Sequence, residues 1–140
     1  MGTKLNPYIN FKDNTRAAME FYKSVFGGNL TISTFKEFQA SGDASDDDKI
    51  MHSELEAENG IVFMAADTPS HLEYRPGTNF SMSLSGEDRA ELTAYFEKLS
   101  VGGTVTQPLT QAPWGDIFGM LIDKFDITWL VNITEKKSNA

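Results

Sequence analysis

The sequence predicts an α+β fold of two tandem βαβββ modules, and three observations carry that expectation. A helical segment, a glycine pair and a strand-like segment occur twice: Phe21, Lys23, Phe26, Gly27, Gly28, Leu30 and Thr31 each meet a like residue 75 positions later, in Phe96, Lys98, Val101, Gly102, Gly103, Val105 and Thr106. Gly60-Ile61-Val62-Phe63-Met64 likewise parallels Asp126-Ile127-Thr128-Trp129-Leu130. Both of those segments lie in hairpins whose flanks are rich in β-branched and aromatic residues. The expected organisation is a first module over 1–67, a linker over 68–78, a second module over 79–134 and a polar tail over 135–140.

Residues 6–11 alternate, with Asn6, Tyr8 and Asn10 on one face and Pro7, Ile9 and Phe11 on the other, so they form a strand with one wet face. Asp13-Asn14 start a helix; Ala18, Phe21, Tyr22, Val25 and Phe26 recur at helical spacing until Gly27-Gly28 stop it. Residues 30–38 read as a second strand, followed by a flexible, solvated acidic loop over 42–48. Asp43, Ser45, Asp47 and Glu54 mimic a calcium-loop frame, but Asp48 stands where that frame needs glycine, and Glu54 belongs to the next strand.

Residues 50–58 and 61–67 make a hairpin. A three-residue loop with Gly60 left-handed places His52, Glu54 and Glu56 across from Ala66, Met64 and Val62. The two-residue alternative buries carboxylates under the helix, so the first register is expected. In the second half, residues 79–84 read as a strand, Asp88 and Glu91 as a helix start, and Leu92, Tyr95, Phe96 and Leu99 as the helix stripe. The last hairpin breaks at Asp123-Lys124-Phe125-Asp126, with Asp123 tying its turn and Trp129 facing the core.

The formal net charge of −8 repels phosphate backbones and anionic membranes, so no nucleic-acid or membrane partner is expected, while cationic ligands are favoured. The absence of cysteine removes thiol nucleophiles, zinc-thiolate sites and disulfides. With no apolar leader or membrane-length run, the expected location is cytoplasmic. No phosphate-binding glycine loop and no nucleophile elbow are present.

Residues 13–27, from Asp13 to Gly27, are similar to the first helix of the vicinal oxygen chelate superfamily, the glyoxalase and bleomycin-resistance fold. Pro7-Tyr8-Ile9-Asn10-Phe11, Met51-His52-Ser53-Glu54-Leu55 and the stretch from Trp114-Gly115-Asp116 to Asn132 resemble its PhnB-like branch. Asp126 departs from the glycine common there, and an Asp tolerates a left-handed turn. The resemblance implies paired modules whose sheets curve into a cup, homodimers, and metal ligands on the first and last strand of each module. Those places fall on Asn6, Met64, Asn79 and Leu130, which offer no carboxylate or imidazole, so no metal and no cofactor is expected. Relatives in the branch often carry a label from a ubiquinone-pathway methyltransferase, yet no glycine-rich loop follows the first strand here.

His52 and Glu54, two apart on one strand, are the candidate catalytic pair if the protein is an enzyme, with the alternative that they simply hydrogen-bond within a polar face. Asn6, Tyr8, Asn10, Met64, Asn79, Phe118, Met120 and Leu130 are the expected ligand-binding positions. Trp114 and Asp116 are candidates for the cavity rim, where an aromatic face and one acid suit a cationic or planar ligand; Trp114 in a dimer interface is the competing reading. His71 is expected at the surface. The expected function is metal-independent binding of a small molecule, in sequestration of a cationic compound. The alternatives are a divalent-metal lyase, isomerase or dioxygenase, and a structural or interaction role.

Overall fold

The protein is described here by a computed structural model over residues 2–135, so the expected polar tail lies, apart from Glu135, outside the described residues. The chain divides into two compact units between Pro76 and Gly77. The first unit runs β1 (Tyr8–Phe11), α1 (Thr15–Phe26), β2 (Asn29–Thr34), β3 (Ile50–Glu56) and β4 (Val62–Asp67), in sheet order β1-β4-β3-β2. The second runs β5 (Met82–Gly86), α2 (Arg89–Ser100), β6 (Thr104–Gln111), β7 (Ile117–Ile122) and β8 (Thr128–Ile133), in order β5-β8-β7-β6. In each, the first strand lies parallel to the last and the other pairs are antiparallel, which is the expected α+β arrangement of a βαβββ module made twice.

Alternation decides which face of each sheet meets its helix. α1 buries Ala18, Met19, Tyr22, Val25 and Phe26, while Leu55, Phe63 and Ala65 are buried on the strands. The Phe63 ring meets Tyr22 and Phe26 edge-on, with centroids 5.4 and 6.2 Å apart. Each such large apolar side chain contributes about 1.5–3 kcal/mol by leaving water. The predicted hairpin register holds, with Glu54 opposite Met64 and Glu56 opposite Val62, and Asn59 and Gly60 both left-handed in the turn.

Asn14 is the N-cap of α1 but makes no side-chain cap bond. The cap comes from Asp67 instead, 5 % exposed, whose carboxylate accepts the Thr15 N–H at 3.0 Å and the Ile50 N–H at 2.8 Å. In the second unit Asp88 caps α2 by accepting the Glu91 N–H at 3.0 Å. Asp123, 2 % exposed, accepts the Phe125 and Ile127 N–H groups and the Trp129 indole N–H, the last at 2.8 Å. That places Trp129 in the core and ties the final turn, where Asp126 is left-handed as expected.

Three expectations are corrected. The second strand ends at Thr34 rather than 38, because the chain turns back at Ala40, whose N–H bonds the Phe35 carbonyl. Residues 79–81 are not strand: β5 starts at Met82, and Phe80 is 86 % exposed. The helices also match at 74 residues rather than 75, since buried Ala18, Tyr22 and Val25 correspond to buried Leu92, Phe96 and Leu99, so Phe96 is the counterpart of Tyr22 and not of Phe21.

The glycine pair keeps its 75-residue spacing for a steric reason. A Cβ on Gly28 would lie 2.1 Å from the Glu56 carbonyl oxygen, and one on Gly103 would lie 2.2 Å from that of Ile122, the matching hairpin position. By contrast, Gly27 has open space around its missing Cβ, but at φ +73 and ψ −163 its backbone sits where essentially only glycine goes. Gly27→Ala should therefore cost the conformational penalty alone, about 1–3 kcal/mol. Gly28→Ala and Gly103→Ala should each exceed the roughly 1–3 kcal/mol of ordinary overpacking, because backbone must move. Urea unfolding of the three variants checks that order.

Candidate functional site

On the first sheet the residues alternate away from α1 onto an open face. Strand pairing lines up Tyr8, Met64, Glu54 and Thr31 in one row across all four strands, and beside it pairs Asn10 with Ala66 and Ser33 with His52. Tyr8 leans diagonally over β4, and its hydroxyl lies 3.3 Å from His52 Nδ1, with the two ring centroids 5.8 Å apart. Burial pushes the Tyr8 phenol above its ordinary value, so it stays a neutral donor. When that phenol donates to Nδ1, the neutral imidazole carries its own proton on Nε2 and offers an N–H to whatever lies above. His52, Glu54 and Met64 are half-buried and Tyr8 is 46 % exposed. Asn6 sits just before β1, half-buried, and Asn10 is exposed on it.

The open face of the second sheet is less polar. Ser83, Leu130 and Met120 share a row, and Ser85, Asn132 and Phe118 share the next. Asp116 lies at the start of β7, where its Oδ2 accepts the Asn132 side-chain N–H at 3.1 Å. Trp114 occupies the tight turn between β6 and β7 and is 69 % exposed. Asn79, outside β5 and exposed, joins none of these. His71 is exposed, as expected. Sequence reading missed Asn132 and the Tyr8–His52 contact. The signal for Asn132 was its place two residues beyond Leu130 on the same face; nothing in the sequence encodes the diagonal lean of Tyr8.

The donors at the places implied for a metal do not fit one. Ser83 faces Leu130 as Tyr8 faces Met64, so the counterpart of Asn6 is Ser81 and the set becomes Asn6, Met64, Ser81 and Leu130. Such neutral or apolar groups hold no divalent ion in water. Among the described residues no three His, Asp or Glu side chains are gathered where they could share an ion.

The chain has known relatives. Residues 3–132 match the family model described as 3-demethylubiquinone-9 3-methyltransferase. The chain belongs to that family. It is PhnB-like, within the glyoxalase and bleomycin-resistance fold. Protein PA1353 of Pseudomonas aeruginosa is 32 % identical over 96 % of this chain and 100 % of its own, with a TM-score of 0.80. A PhnB protein of Bacillus cereus is 24 % identical over 94 % and 100 %, with a TM-score of 0.75. A glyoxylase/bleomycin resistance protein/dioxygenase domain of Frankia sp. EAN1pec shares the fold at 15 % identity, over 96 % and 99 %, with a TM-score of 0.66. In this PhnB-like chain β1 leads into Lys12-Asp13-Asn14, not into the glycine-rich turn of a doubly wound methyltransferase, and both sheets are mixed.

The acidic loop is more structured than its composition implies. Asp43 accepts the Ser45 N–H at 2.9 Å, and Asp46, 1 % exposed, accepts the Ser70 N–H and hydroxyl and pairs with Lys49 at 3.0 Å. Lys49 also reaches Asp13 at 3.5 Å. Burial pushes the Asp46 carboxyl up, but the bonds from Ser70 and Lys49 outweigh it and hold the group below its ordinary 3.8. Lys49 is held above 10.5, chiefly by its bond to Asp46. The stability from Asp46 is thus present above 3.8 and lost as pH falls through its lower folded value; that from Lys49 is present below 10.5 and lost above it. Asp46→Asn should lower the melting temperature at pH 7, and its deficit should shrink as pH falls below 3.8, which melting scans across pH will read.

Proposed function

We propose that this PhnB-like protein binds a small cationic organic molecule without a metal, and does so as a cytoplasmic homodimer. The observation that carries the reading is the make-up of the open faces: Tyr8, His52, Glu54 and Glu56 on one, Phe118, Met120 and Leu130 with Asp116 at its edge on the other, and no Lys or Arg on either among the described residues. Acids beside aromatic rings, with no fixed cation to compete, favour a positively charged planar ligand. The net charge of −8 adds long-range attraction for it. Exposed Trp114 supplies a large apolar surface for either the ligand or the second copy.

Binding fits the Tyr8–His52 pair better than general-base catalysis does. In the tautomer we adopt, the Tyr8 hydroxyl, 3.3 Å away, donates to Nδ1, the proton sits on Nε2, and the lone pair a base needs is engaged. Among the described residues no helix is long and apolar enough to cross a membrane.

Calorimetric titration with cationic aromatic compounds, in the presence of EDTA, tests this reading. Binding should persist in EDTA without turnover. Glu54→Gln should weaken binding on the first sheet's face, and Asp116→Asn binding on the second's, about tenfold each, the scale of a charge-assisted contact. Tyr8→Phe should weaken it less, and Trp114→Ala should weaken it or shift the protein toward monomer in sedimentation. A stoichiometric divalent ion that is lost in His52→Ala, or turnover that disappears with it, would move the protein to the enzyme class.

A further inference from the structure

The two units differ on the helix-bearing side of their sheets. At the 74-residue helix spacing, fully buried Met19 corresponds to Thr93, and buried Thr15 to Arg89. Asp67, which clamps the start of α1, corresponds by the 66-residue hairpin spacing to Ile133. The second unit therefore lacks the side chains that fill and tie this corner in the first. A cleft of about 360 Å³ opens there, lined by Arg89, Thr93, Leu109, Gln111, Ile117 and Glu135. It lies across the sheet from Phe118 and Met120, so it is separate from the open faces considered above.

We propose that this cleft binds a small zwitterion with an apolar body, of the amino-acid class. Arg89 and Glu135 line the same cleft, yet neither makes an ion pair among the described residues, so each keeps its charge for a ligand. The Gln111 side-chain N–H donates to Glu135 Oε2 and to the Gly115 carbonyl, both at 3.3 Å, which steadies that carboxylate and leaves Oε1 available. Arg89 takes the ligand carboxylate, Glu135 takes the ammonium, and Leu109 and Ile117 take the apolar body. A plain carboxylate would meet the repulsion of a net charge of −8; a zwitterion carries no net charge into that field.

The test is calorimetric titration of the protein with L-leucine, N-acetyl-L-leucine and L-leucinamide. L-leucine should bind, and removing either of its charges should weaken binding at least about tenfold, the worth of one charge-assisted hydrogen bond. Arg89→Gln should lose the discrimination between L-leucine and L-leucinamide, and Glu135→Gln that between L-leucine and N-acetyl-L-leucine. Thr93→Met, which restores the packing of the first unit, should abolish binding without lowering the melting temperature. Should Thr93→Met fail to fold, the exposed Arg89 and Glu135 variants decide alone. The proposal is overturned if L-leucine gives no heat at millimolar concentration, if folded Thr93→Met binds as well as the parent, or if the two charge variants leave ligand preference unchanged.

Discussion

In each unit the chain leaving the helix passes so close to the middle hairpin that no side chain fits between them. Gly28 and Gly103 stand at those crossings, each with a virtual Cβ little more than 2 Å from a carbonyl oxygen of the matching hairpin position. This contact fixes where the edge strand enters the sheet, and hence the register of β2 on β3 and of β6 on β7. The rows of the open faces follow from that register, because a slip of one residue exchanges the faces of a strand. The glycine repeat is therefore more than a helix stop.

Around this shared backbone the two units have placed their buried acids at opposite ends. In the first, Asp67 ties the start of α1 to β3 and closes the corner that Met19 fills. In the second, Asp123 takes the other end, where it holds the final turn and the Trp129 indole. Each carboxylate accepts two or more N–H bonds, so its burial is compensated. The corner that Asp67 guards in one unit is left without a clamp in the other, and that is where the cleft beside Arg89 opens.

What the sequence disclosed and what it hid follow the same division. The two-module fold and the pairing of Glu54 with Met64 were legible, since the competing register would have buried charge. The start of β5 was not, because Phe80 keeps the alternation going although its ring is in solvent. Asp46 reads in the sequence as one more acid of a solvated loop, because its partner Ser70 lies 24 residues along the chain. Long-range polar contacts of this kind leave no local periodicity to read, and the same holds for Tyr8 over His52 and for the distant cap that Asp67 gives α1.

The residues at the places the resemblance implies for a metal lie apart from the packing. The cores are built on the helix side, from residues such as Phe63, Leu121 and Trp129, whereas Asn6, Met64, Ser81 and Leu130 lie toward the open faces. Alternation separates the two sets strand by strand, so the donors can change without disturbing the packing behind them. Such a sheet presents a surface on which carboxylates, rings and hydroxyls can be exchanged one at a time. Tyr8 and His52 illustrate this freedom: their contact uses side chains from two strands and no core atom.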